Sequence, residues 1–174
     1  YRRGRDTAGR LPLVTSPVRP TAPLRATPPR ALLVEADAPL RRALTTLLQV
    51  EGYEVTAVDT VFGTHALVRL LAPAVVLLDL ELPYRSGLSL LPHLQADPQT
   101  APIPVVVLTT LPALLPPARR PLATAVLTPP ISAATLHAAL QTARSAWLVG
   151  QACDGQACAQ STIAAAREAV AHAQ

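Results

Sequence analysis

Lysine is absent from this chain: all 15 basic residues are arginine. The phosphate-binding signature G-x-x-x-x-G-K-[ST] is therefore missing, and no G-x-G-x-x-G is present either. Methionine is also absent and residue 1 is Tyr, so the natural start is expected upstream, or the sequence is a translated fragment. Cys153 and Cys158 lie five apart near the end, with no second Cys or His pair at zinc spacing. They suggest neither a disulfide framework nor a metal centre. Half of the residues are apolar, yet no run approaches the ~20 needed to cross a bilayer. The basic amino terminus has no apolar stretch before its prolines, so it does not read as a secretory signal. A soluble, cytoplasmic protein with no membrane contact is the expectation.

What is present is unevenly charged. Residues 1–30 hold seven Arg against Asp6 alone, while the rest of the chain carries eight Arg and ten acids. That first stretch also contains Pro12, Pro17, Pro20, Pro23, Pro28 and Pro29. Proline removes backbone donors and the segment has no hydrophobic face, so it reads as an extended or disordered tail. Apart from Tyr1 no aromatic is interleaved with its arginines, and contact with nucleic acid is not expected.

From Ala31 onward strands and helices alternate. ALLVEAD (31–37) and YEVTAVD (53–59) read as strands, each followed by apolar residues at helical spacing, Leu40, Leu44, Leu47 and Leu48, then Phe62, Ala66, Leu70 and Leu71. Gly52 and Pro73 close the two helices. The organising stretch is Ala74–Gly87, AVVLLDLELPYRSG, in which five apolar residues run unbroken into Asp79. So short a run marks a central parallel strand covered on both faces, and such strands place chemistry at their carboxyl ends. A third helix over 88–97, strands over 104–110 and 124–128, and a helix from Ile131 towards Trp147 complete the pattern. It predicts an α/β fold: a doubly wound, five-stranded parallel sheet with helices on both faces. The domain spans 31–149, and residues 150–174 form an alanine-rich helical extension with a thin apolar stripe of Ile163, Ala166 and Val170.

These residues resemble the receiver domain of bacterial two-component response regulators. LLVEAD, a helix and EGYEV match the family's first strand, acidic pair, first helix and second strand. LLDLELPYRSG matches its phosphoacceptor strand, with Asp79, Pro83 and Gly87 at the family spacing, and DPQTAPIPVVVLTT matches the run into the fourth strand. The resemblance implies a flavodoxin-like receiver fold in which Asp79 is the phosphoacceptor and Thr109 the phosphate-contacting hydroxyl. It also implies a Mg²⁺ seat drawn from Glu35, Asp79 and Glu81, the last through its carbonyl.

The same resemblance shows what has been lost. The second acid of the pair is Ala36, the invariant lysine is Pro129, and the aromatic that reports phosphorylation is Val126. The fourth helix is replaced by LPALLPPARRP (111–121), where interior prolines costing about 3 kcal/mol each leave a loop or one turn. Phosphoryl transfer spreads charge over three oxygens and needs positive partners. Each missing donor removes ~2.7–4 kcal/mol of stabilisation, and burial without those partners should raise the pKa of Asp79. Asp37, one residue out of register, is the candidate to swing in as a substitute acid.

The first reading is a degenerate receiver kept for protein–protein contact, with no cofactor or a weakly held Mg²⁺. The alternative is a receiver phosphorylated slowly on Asp79. A third class is an unrelated enzyme or nucleotide binder on the same architecture; acids at the first turn oppose it, because they repel phosphate. Partners implied are a sensor kinase or another signalling protein, and a homodimer through 131–149 or the carboxyl-terminal extension. His65, His93, His137 and His172 fall on separate helices and read as surface or boundary residues. The acid of Glu81 reads as solvated.

Overall fold

The computed structural model describes residues 27–152. The expected tail and most of the alanine-rich extension, with Cys153, Cys158 and His172, lie outside the described residues. Five parallel strands, β1 (Arg30–Val34), β2 (Glu54–Val58), β3 (Val75–Asp79), β4 (Val105–Leu108) and β5 (Ala125–Leu127), form one sheet in the order β2-β1-β3-β4-β5. Helices α1 (Ala38–Val50), α2 (Thr64–Leu71), α3 (Leu90–Ala96) and α4 (Ala133–Ala152) cover it.

The central strands β3 and β4 are apolar on both faces up to the Asp79 that ends β3, because both faces are covered. Successive side chains alternate across a sheet, and the core divides accordingly. Val76 and Leu78 of β3 pack with Val68 of α2 and Leu91 and Leu94 of α3, whereas Val75 and Leu77 pack with Leu44 and Leu48 of α1 and Leu136 and Leu140 of α4. Each such side chain stabilises the fold by about 1.5–3 kcal/mol relative to exposure.

Local signals set the helix ends. Asp37 caps α1, its carboxylate accepting from the Leu40 N–H at 2.7 Å. At Gly52, φ is +87°, a left-handed turn that suits glycine, and the chain then enters β2. Ahead of α4, Ser132 and Thr135 exchange side-chain-to-backbone bonds at 3.1 and 3.0 Å, a capping box with Thr in place of the usual acid.

Between β4 and β5 the chain makes two 3-10 turns, Pro112–Leu114 and Arg120–Leu122, and no α-helix. Leu115 is buried there, and Arg119 Nη1 donates to the Leu88 carbonyl at 3.0 Å, tying the loop to the start of α3.

Two boundaries differ from the sequence expectation. β1 and β4 stop one residue short of Glu35 and Thr109 while β3 ends on Asp79, although the Glu35 and Thr109 N–H groups still donate to the Val58 and Leu127 carbonyls at 3.0 and 3.1 Å. Helix α4 runs on to Ala152, beyond the Trp147 towards which the sequence pattern leads and into the segment read as a helical extension. A single interior glycine, Gly150, costs only about 1 kcal/mol and does not stop it.

Gly87 positions the site. A Cβ built there would lie 2.0 Å from the Asp79 carbonyl oxygen, so the loop after β3 folds back onto the strand end only because that position has no side chain. Gly87→Ala should destabilise the domain by about 1–3 kcal/mol through this overpacking. Urea unfolding followed by circular dichroism checks it, and an unchanged midpoint would contradict the packing described.

Candidate functional site

A cleft of ≈ 310 Å³ opens above the carboxyl ends of the central strands. Glu35, Ala36, Asp37 and Leu40 enter it from the β1–α1 turn, Asp79 and Glu81 from the end of β3. Leu108, Thr109 and Thr110 enter from β4, and Pro129 from the loop after β5. The parallel register pairs Val34 with Leu78, so the next residues, Glu35 and Asp79, come side by side.

Both acids are deeply placed: Glu35 is 3% and Asp79 7% exposed. Backbone donors meet one oxygen of each, Asp37 N–H on Glu35 Oε1 at 3.0 Å and Glu81 N–H on Asp79 Oδ1 at 2.9 Å. These bonds do not offset the loss of water. Burial pushes the Glu35 carboxyl up to about 7, with the charges of Asp79 and Asp37 adding to it. Burial also raises Asp79 above the usual carboxylate range, and the charge of Glu81 acts in the same direction.

No positive group answers them. Among the described residues the ion pairs are Arg30–Glu54, His65–Asp97, Arg69–Asp97 and His137–Glu51, none of them at the cleft. Arg41, which the sequence did not single out, reaches the β1–α1 turn. Its Nη1 donates to the main-chain carbonyls of Glu35 at 2.7 Å and Ala36 at 3.0 Å. Arg41 therefore secures the β1–α1 turn and does not pair with either carboxylate. Pro129, joined to Pro130 by a cis peptide, presents a ring to the cleft where a cation would be needed.

The remaining candidates are placed as follows. Asp37 does not swing in as a substitute acid, because its carboxylate is committed to capping α1. Glu81 is exposed but not merely solvated: the Thr110 hydroxyl and its N–H, the latter at 3.1 Å, both donate to its carboxylate. The Thr109 hydroxyl is buried and bonded to the Leu111 main chain, with both contacts at 3.1 Å. Glu35 and Asp79 are thus the acids that come side by side, and the Glu81 N–H donates to Asp79. Among the described residues no three His, Cys, Asp or Glu side chains converge as metal ligands.

The model of the response regulator receiver domain matches residues 31–141. The chain belongs to that family. This receiver is 35% identical over 78 residues to the phosphate regulon transcriptional regulatory protein PhoB of Pseudomonas aeruginosa, covering 45% of this chain and 34% of that protein. It is 42% identical over 82 residues to the DNA-binding response regulator MtrA of Mycobacterium tuberculosis, covering 46% and 34%. The match thus spans about a third of the length of these relatives. Among solved structures it is similar to a CheY-like receiver domain from Methylobacillus flagellatus, with 29% identity, TM-score 0.59, and 66% of this chain and 98% of that one covered. A sensor protein from Polaromonas is comparable, at 28% identity and TM-score 0.59, with 67% and 95% covered.

The acid pair of this receiver makes its stability depend on pH. Native Glu35 holds its proton up to about pH 7, whereas its ordinary value is 4.5. Its contribution is therefore fully present below the unfolded value and is lost as pH rises through about 7, because the unfolded chain binds fewer protons across that window. In chelator-containing buffer the melting temperature of the native chain should fall relative to Glu35→Gln between about pH 5 and 8. A difference that stays flat across that range would contradict the raised value.

Proposed function

We propose that this receiver works mainly as a protein–protein interaction module in two-component signalling, with phosphoryl acceptance at Asp79 impaired. One observation supports this most: the buried pair Glu35 and Asp79 has no cationic partner among the described residues, and a proline ring stands at the lysine position.

For Asp79 to accept a phosphoryl group, a carboxylate oxygen attacks phosphorus in line while the bond to the leaving oxygen breaks. The incoming charge must be met by positive groups. Here the attacking acid is buried and its pKa is raised, which lowers the fraction of nucleophile. The facing Glu35 offers the incoming anion no positive charge, and the charge that would stabilise the transition state is missing. The loss of one such donor corresponds to roughly two to three decades in rate.

Mg²⁺ supplies charge neutralisation in receivers that hold it. In this chain Glu35, Asp79 and the Glu81 carbonyl would have to seat it. Ala36 withholds the second acid, and the Glu35 and Asp79 oxygens already accept backbone bonds. The set falls short of a firm seat, so the chain holds no cofactor or a weakly bound Mg²⁺, and no step is routed through it.

The second reading, slow phosphorylation of Asp79 in a phosphorelay, has one observation in its favour: Asp79 and Thr109 share an open cleft. In either case the output path is altered, because Val126 replaces the aromatic and the β4–β5 loop replaces a helix. Partners on this reading are a sensor kinase or another signalling protein in the cytoplasm, with the exposed face of α4 available for self-association. Among the described residues no helix is long and apolar enough to cross a membrane. The DNA-binding activity in the MtrA name belongs to a protein about three times the length of the match, and nucleic-acid contact is not part of this proposal.

Acetyl phosphate with Mg²⁺, applied to the native chain and to Asp79→Ala and read by intact mass, tests the reading. The expected result is no acid-labile adduct on the timescale of minutes. Near-complete modification of the native chain, absent from the variant, would establish the second reading instead.

A further inference from the structure

A second cavity, ≈ 180 Å³, lies at the same rim of the sheet but away from the acids, between the corner leading into α2 and the start of α3. Its chemistry is the reverse of the first. No acid lines it, and Arg85, His65 and His93 do. Beside them is Phe62, an aromatic 61% exposed, and Leu90 forms the floor.

The polar groups are held ready. Arg85 Nε donates to the Ser89 hydroxyl at 3.1 Å, and among the described residues its guanidinium has no acidic partner. His93 Nδ1 lies 2.7 Å from the Ser89 carbonyl, which can only accept. That fixes the ring proton on Nδ1. The nearby negative charge is already committed: Asp97 Oδ2 lies 3.1 Å from His65 Nε2 and 3.5 Å from Arg69 Nε. The His65 contact falls off the line that a hydrogen bond needs, so Nε2 has no donor–acceptor bond of its own.

We infer that this groove docks an acidic segment of a partner protein, with a carboxylate on Arg85 and the adjoining apolar side chain against Phe62 and Leu90. An arginine fork takes a carboxylate through two parallel bonds, and an exposed aromatic next to an arginine is the composition of interface hot spots. A free phosphate would leave Phe62 unused. An acidic bilayer would need cations spread over a face, and Arg69 is already engaged by Asp97. The groove does not depend on the phosphoryl cleft, so the inference goes beyond the proposed function and stands whichever fate Asp79 has.

Selection of phage-displayed random dodecapeptides on the full chain, with no phosphodonor present, tests it. Selected sequences should pair Asp or Glu with Leu or Phe. A fluorescein-labelled selected peptide should lose about tenfold in affinity on Arg85→Ala and on Phe62→Ala, bind more weakly as salt rises, and bind Asp79→Ala as well as the native chain. Both varied side chains are exposed, so melting temperatures should be unchanged and a loss of binding is not a loss of fold. Failure to select peptides, selection of sequences without acids, or indifference to both substitutions would overturn the inference. So would inorganic phosphate or phosphatidylserine vesicles binding with the same Arg85 dependence when no peptide does.

Discussion

Two carboxyl groups sit side by side at the bottom of a cleft, and among the described residues neither has a cationic partner. Backbone bonds from Asp37 and Glu81 satisfy one oxygen of each, but burial still favours the protonated forms. A buried charge is tolerated when it is paired. Without a partner the ionised form is disfavoured, and the ionised form is the nucleophile. The chemical character of the site follows from that constraint more than from any single substitution.

The fold makes the arrangement unavoidable. β1 and β3 are adjacent parallel strands, and their register brings the residues just past Val34 and Leu78 together. Gly87 lets the following loop lie against the Asp79 main chain, and Arg41 holds the opposite turn by its carbonyls. The receiver scaffold is thus kept in its strand order, its loop geometry and its rim.

Much of this was legible in the sequence. The unbroken run into Asp79 announced a doubly covered strand, and the positions of Glu35 and Thr109 at other strand ends implied a shared cleft. The prolines of 111–121 signalled the loss of a helix, because each removes a donor that a helix requires. Harder to read were contacts between residues far apart in sequence. Nothing local shows that Thr110 captures the Glu81 carboxylate, or that Arg41 turns back to two carbonyls, since long side chains choose among partners only after the chain has folded. Asp37 could have been recognised. An acid followed by Ala, Pro and Leu at the head of an amphipathic helix is an N-cap pattern, and a capping acid is not free for a metal.

The central claim is that missing charge, and not a misshapen pocket, limits the chemistry. The most direct measurement is the rate of Asp79 phosphorylation by acetyl phosphate and Mg²⁺ in a chain carrying Ala36→Asp and Pro129→Lys together. Restoring the acid and the cation in an intact cleft should raise that rate by about two to three decades over the native chain. A rate that does not change, in a variant that folds normally, would show that the fault lies elsewhere in the site.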